Sequence, residues 1–480
     1  MKRQSGVLLH LSSLWGEYGI GSLGKEALDF VDFLSDSGFT VWQTLPFCIP
    51  DEFNSPYKSP ALFSFNPYFI DLPTLFEKGY ISKDELFSER STSHFLCDFS
   101  SLEINRLPLL FKAAKRAMER EGVRAAVEDF IAENPRINEA ACFLALKETN
   151  GGELWQKWTK STPCEEKFLF WQFLHYEFFC EWTKIKSYAN EKGIRIIGDI
   201  PIYPSEDSAD LWANPRAFLL DEQGYPSEVA GVPPDYFSPD GQLWGNPIYN
   251  YKQMKKDGFS WWRERIRHTL AIFDGARLDH FRGFDAFWSI PKGRPAKEGK
   301  WKIGEGRALL TAIRQEAGEG FLIAEDLGEI TESVKSLIFD FQFPSMRVFQ
   351  FAFLGDKHSV HLPHNYIKNT VAYSGTHDNN TLLGYLFECD EATRARIFDY
   401  CGYFGGNIDQ GASAVIRVLF SSSADTVIFP VQDLCGFGSD TRMNIPGQSE
   451  GNWSYRITES QIMNIDRGRL RFLNELYGRI

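Results

Sequence analysis

Short apolar runs alternate with stretches of helical periodicity along most of this chain. Residues 6–11 (G-V-L-L-H-L), 39–46 (F-T-V-W-Q-T-L-P), 194–200 (I-R-I-I-G-D-I), 275–279, 321–325 (F-L-I-A-E), 347–353, 371–376 and 426–431 read as strands. Most are apolar nearly throughout and lack the in/out alternation of a half-exposed strand, so they fit a sheet covered on both faces. Between them, residues 24–37 place Ala27, Phe30, Val31 and Leu34 on one helical face. Residues 168–189, 261–273, 307–317, 332–339, 412–421 and 461–477 carry the same period.

Parallel strands linked by helices need crossover connections. Eight of them predict a closed (β/α)8 barrel in place of an open doubly wound sheet. The 480 residues exceed the roughly 250 of a plain barrel, so the surplus must be insertions. The largest spans residues 72–163 and reads as a helical subdomain. A second, 200–260, reads as an active-site loop region, within one catalytic barrel occupying 1–480. Only 45 residues follow Cys435 and they read as loop plus helix, so no C-terminal β-sandwich is expected.

Charge narrows the class. The chain carries 51 basic and 64 acidic residues, a net charge of −13, which opposes nucleic acid and anionic membranes as partners. No apolar run approaches the roughly 18 to 20 residues of a membrane span. The N-terminal apolar run is broken at once by His10, Ser12 and Ser13, so a strand is expected there in place of a secretory signal. The eight cysteines are dispersed with no C-x-x-C, which fits reduced thiols and a cytoplasmic location.

Residues at the carboxyl ends of parallel barrel strands face one common mouth. Asp199 ends the third predicted strand, Asp279 the fourth and Glu325 the fifth, and His377-Asp378 follows the seventh. One strand-end Asp is most simply a turn or cap residue. Four carboxylates at matching positions point to a site. Clustered carboxylates without an evident metal suit glycosyl transfer, in which one attacks the anomeric carbon and another, kept protonated, serves the leaving oxygen. Arg277 lies two residues before Asp279, so both project to one face of the strand, where the guanidinium would favour the carboxylate anion.

The segments R-L-D-H-F-R-G around Asp279, I-A-E-D-L-G around Glu325 and T-H-D-N-N-T around Asp378 resemble the catalytic segments of the α-amylase clan. Within it the chain resembles the amylomaltase, or disproportionating-enzyme, family of 4-α-glucanotransferases. The likeness extends through G-V-L-L-H-L-S-S-L, N-S-P-Y-K-S, G-D-I-P-I-Y, D-S-A-D-L-W, A-G-V-P-P-D-Y-F-S-P-D-G-Q-L-W-G-N-P-I-Y and R-M-N-I-P-G…N-W-S-Y-R. The resemblance implies transfer of α-1,4-glucan segments between maltodextrins derived from starch or glycogen. It makes Asp279 the nucleophile, Glu325 the acid/base and Asp378 the transition-state stabiliser. Ser55, Tyr57, Asp199, Trp244, Arg277, His280 and His377 would contact sugar, and residues 229–249 would arch over the donor. No cofactor or metal is implied, since G-D-I-P-I-Y lacks the Asn-His pair that helps amylases hold calcium. Pro204, Tyr455 and residues 299–306 depart from the family pattern, on the acceptor side of the chemistry.

Two other signals carry less. Gly19-x-Gly21-x-x-Gly24 matches a dinucleotide fingerprint, but seven residues separate it from the strand and no ribose-binding acid follows. His358-x-x-His361-x-x-His364 has zinc-like composition, but its spacing fans the side chains apart on a helix, and Pro363 disrupts one.

Overall fold

The computed structural model describes residues 3–234 and 239–480. Its strands, in chain order, are β1 (Gln4–Leu8), β2 (Val41–Gln43), β3 (Arg195–Ile200), β4 (Glu228–Val232), β5 (Gln242–Pro247), β6 (Gly275–Leu278), β7 (Ala286–Pro291), β8 (Lys300–Ile303), β9 (Phe321–Ala324), β10 (Ser345–Val348), β11 (Thr370–Tyr373) and β12 (Thr426–Pro430). Eight of them close a barrel in the order β1-β2-β3-β6-β9-β10-β11-β12, every neighbouring pair parallel. These are the eight runs whose apolar pattern predicts strands. Pairing of Gly6 with Val41 on one side and Ile428 on the other shuts the ring. A Cβ on Gly6 would lie 2.6 Å from the Val41 carbonyl oxygen, so the close approach requires glycine.

Leu8, Val41, Ile197, Ile323, Met346, Val348, Val371, Tyr373 and Ile428 fill the barrel interior as one packed cluster. The period of two then places the chemistry. Asp199 lies two residues beyond Ile197, and Glu325 two beyond Ile323, both continuing an inward-facing row.

Helices wrap the barrel. Lys25–Asp36 buries Ala27, Phe30, Val31, Phe33 and Leu34. The long helix Glu165–Glu191 buries Phe170, Trp171, Phe173, Phe178 and Trp182, and Trp182 donates its indole N–H to the Ile272 carbonyl. Residues 72–163 contain the helices Leu107–Met118, Glu121–Glu133 and Pro135–Thr149, whose apolar faces join the same hydrophobic cluster as that long helix.

Three elements differ from the pattern-based expectation. The run 347–353 begins as β10 but turns into a 3-10 helix at Phe349–Phe351. The closing helix is two, Glu459–Met463 and Arg467–Leu476, because Asp466 caps the second by accepting from Arg469 N at 2.8 Å. The third is a four-stranded antiparallel sheet, β5-β4-β7-β8, which the apolar pattern does not predict. It joins part of the 200–260 region to residues 286–303, so the sheet is assembled from segments on both sides of β6 in sequence. Residues 235–238, inside the stretch expected to arch over the donor, lie outside the described residues.

The dinucleotide-like and zinc-like motifs have structural explanations. A Cβ at Gly21 would meet the Leu11 carbonyl at 2.0 Å, and one at Gly24 the Asp71 carboxylate at 2.2 Å, so these glycines serve close packing. His361 Nδ1 accepts from Val348 N at 3.1 Å, while His364 pairs with the Tyr400 hydroxyl at 2.9 Å. These histidines do not converge, and the described residues contain no group of three or more His, Cys, Asp or Glu placed to hold a metal ion.

Candidate active site

Arg277, near the end of β6, is the hub. Its Nε donates to Asp199 Oδ2 at 2.8 Å and its Nη2 to Asp279 Oδ1 at 2.9 Å, while Nη1 lies 3.9 Å from Glu325 Oε2. A planar guanidinium can address three carboxylates at once because its donors point outward in a fixed fork. Burial alone would lower the Arg277 pKa, but Asp199 and Asp279 push it well above its ordinary value.

Three of the four expected strand-end carboxylates therefore share one cation. They differ in exposure. The Asp199 side chain has no exposed surface, whereas those of Asp279 and Glu325 are 27% and 16% exposed. Asp199 also accepts from the Tyr57 hydroxyl at 2.7 Å. The side chain of Asp199, which the family resemblance puts at the sugar, is enclosed by its bonds to Arg277 and Tyr57. Burial raises Asp199 to about 7, with Asp279 adding to the rise and Arg277 opposing it.

Glu325 has the contrasting environment. Burial, then the Asp279 charge, pushes its carboxyl up to about 8, against Arg277 and a backbone N–H. That N–H belongs to His280, which donates to Oε2. His280 adopts φ +46°, left-handed for a residue with a side chain, which aims its amide at Glu325. Its imidazole, lowered to about 4 by burial, meets the Trp244 ring edge-on at 4.8 Å. Trp244 is on β5, so the antiparallel sheet that periodicity does not predict is what brings it to the site.

His377 and Asp378 follow β11. His377 is buried, which lowers its pKa, and it stacks on Tyr57 with centroids 5.0 Å apart and planes 12° apart. Its Nε2 is 3.3 Å from Asp378 Oδ2. Ser55 braces Tyr57, its hydroxyl accepting from Tyr57 N at 3.3 Å. All ten candidate residues thus lie in one connected neighbourhood. Pattern and spacing assign no role to Arg442, Asn444 and Trp453. Arg442 and Asn444 bond the His377–Asp378 segment, and the Trp453 ring packs at a tilt beside Tyr57. Their only signal in the sequence is membership of R-M-N-I-P-G…N-W-S-Y-R.

A closed parallel barrel whose mouth gathers carboxylates around one buried guanidinium defines the class of barrel enzymes acting on glycosidic bonds. The chain belongs to the 4-alpha-glucanotransferase family, whose sequence profile matches residues 9–462. It is 41% identical over 497 residues to the 4-alpha-glucanotransferase of Streptococcus pneumoniae serotype 4, covering 100% of this chain and 98% of that protein. Against the Thermus thermophilus 4-alpha-glucanotransferase the identity is 39% over 505 residues, covering 100% of each. The solved amylomaltase from Streptococcus agalactiae in complex with acarbose matches with a TM-score of 0.95 at 35% identity, over 100% of both chains.

Proposed function

We propose that the protein moves α-1,4-glucan segments between maltodextrins by a retaining double displacement. Asp279 attacks the anomeric carbon while Glu325 gives its proton to the leaving oxygen. Glu325 then takes the proton of an acceptor 4-hydroxyl as that oxygen displaces Asp279. Two inversions retain the configuration. The observation that carries this reading is the contrast around Arg277: Asp279 accepts from its Nη2 at 2.9 Å, while Glu325 stands 3.9 Å from Nη1, where burial and the Asp279 charge raise its pKa and favour the protonated acid. Asp199 and Tyr57 act through Arg277 by fixing its plane. Asp378, with the most exposed side chain of the trio at 46%, faces outward for sugar hydroxyls and developing positive charge.

Incubation with maltotriose alone tests the reaction. Thin-layer chromatography should show glucose together with longer maltodextrins, and reducing ends should stay nearly constant. Rising reducing ends without longer products would identify a hydrolase.

Trp244 provides a second test. A sugar's C–H face packs on an indole, and Trp244 sits against His280, the neighbour of Asp279. Trp244→Ala should weaken glucan binding by about 2- to 10-fold, the scale of one aromatic contact. It should also raise the ratio of glucose release to transfer, measured on one maltotriose time course. An unchanged ratio and unchanged KM would make Trp244 a packing residue of the sheet. We place the reaction in the cytoplasm, where the eight free cysteines stay reduced. No helix among the described residues is long and apolar enough to cross a membrane.

A further inference from the structure

We propose that Asn444 is a positioning residue for Asp378, held in place by residues 442–453 acting as a clamp. The inference rests on the functional reading above and adds a part to its site. Asp378 stands in the turn after β11, farther beyond its strand than Glu325, which directly follows β9, or Asp199, which lies within β3. A half-exposed carboxylate on a turn rotates freely unless something holds it.

Asn444 Nδ2 donates to Asp378 Oδ1 at 2.6 Å, and Asn444 N donates to the His377 carbonyl at 3.1 Å. Arg442 Nη2 donates to the Asp378 carbonyl at 2.6 Å, and its Nε to the Asn444 carbonyl at 2.8 Å. The His377–Asp378 segment is therefore gripped at two carbonyls and one carboxylate oxygen by two residues of one loop. That loop is closed on itself. Trp453 N donates to the Met443 carbonyl at 2.7 Å, and Asn452 Oδ1 accepts from Ile445 N at 2.9 Å. Trp453, at φ +65°, sets its ring 5.8 Å from Tyr57 and 6.0 Å from His377. Both ends of the loop thus bear on the site, while the tip between them is exposed.

The choice of an amide has chemical sense. A neutral donor fixes Oδ1 without cancelling the carboxylate charge, which the electron-poor anomeric centre needs. A lysine or arginine there would spend that charge on an ion pair.

The test compares Asn444→Ala, Asn444→Asp and Asp378→Asn, each checked for wild-type circular dichroism, using maltotriose as sole substrate. Asn444→Ala should lower kcat by about 10- to 100-fold, with KM changing by less than about 3-fold, because orientation is lost and binding is not. Asn444→Asp places two carboxylates in contact, and once both are ionised they repel each other and no donor remains for Oδ1. One of them, protonated, can donate as the amide did, so activity should recover on acidification and the pH–rate profile should move to lower pH. A merely structural loop residue would not move that profile. Unchanged kcat in Asn444→Ala beside an inactive Asp378→Asn overturns the clamp alone. So does a loss confined to KM, or an Asn444→Asp profile superimposable on wild type. An active Asp378→Asn overturns the functional reading beneath it.

Discussion

Asp279→Ala is expected to reduce maltotriose disproportionation by at least about 10^4-fold, because it removes the atom that forms the covalent intermediate. The loss should be equally deep with an α-maltosyl fluoride donor, whose leaving group needs no proton. That second measurement separates a missing nucleophile from a missing acid. Arg277 keeps its 2.8 Å bond to Asp199 in the variant, so the buried cation stays paired and the barrel should remain folded. Initial rates by fluoride release give the comparison. A variant within tenfold of wild type on the fluoride donor would remove Asp279 from the chemistry.

Glu325→Ala should behave differently on the two donors. With maltotriose, loss of general acid catalysis should cost about 10^2- to 10^4-fold. With the fluoride donor the glycosyl-enzyme should still form and then stall, since nothing deprotonates the acceptor. Azide needs no general base, so it should restore turnover and give a product of retained configuration. The pH profile makes the same assignment. Glu325 is raised to about 8 by burial and by Asp279, and its protonated form is the one that acts first. The wild-type kcat/KM should therefore hold below about pH 8 and fall as pH rises through it, with that limb absent from Glu325→Ala on the fluoride donor. Rescue by azide to an inverted product would contradict the assignment.

What the sequence makes legible follows from periodicity. The barrel strands are covered on both faces, so they stand out as unbroken apolar runs, and the step of two from Ile197 to Asp199 and from Ile323 to Glu325 is visible in the amino-acid order alone. Periodicity also explains the gaps. Strands β4, β5, β7 and β8 are partly exposed and split across β6 in sequence, and no local pattern reports that they pair. The enclosure of the Asp199 side chain by Arg277 and Tyr57 is a property of the closed ring that no local pattern reports. Asn444 and Arg442 are polar loop residues whose partners are a carboxylate and carbonyls far earlier in the chain, a relation with no local spacing. The family likeness in R-M-N marks these residues without giving their task; the hydrogen bonds to His377 and Asp378 give it.

Which carboxylate becomes bonded to sugar decides the mechanism. Glu325→Ala incubated with the α-maltosyl fluoride donor, quenched in acid, digested and mapped by mass spectrometry reads this directly. The predicted result is a maltosyl adduct on the peptide containing Asp279, absent when Asp279→Ala is combined with Glu325→Ala. An adduct on Asp378 or Asp199 would contradict it, as would continued turnover by the doubly substituted protein.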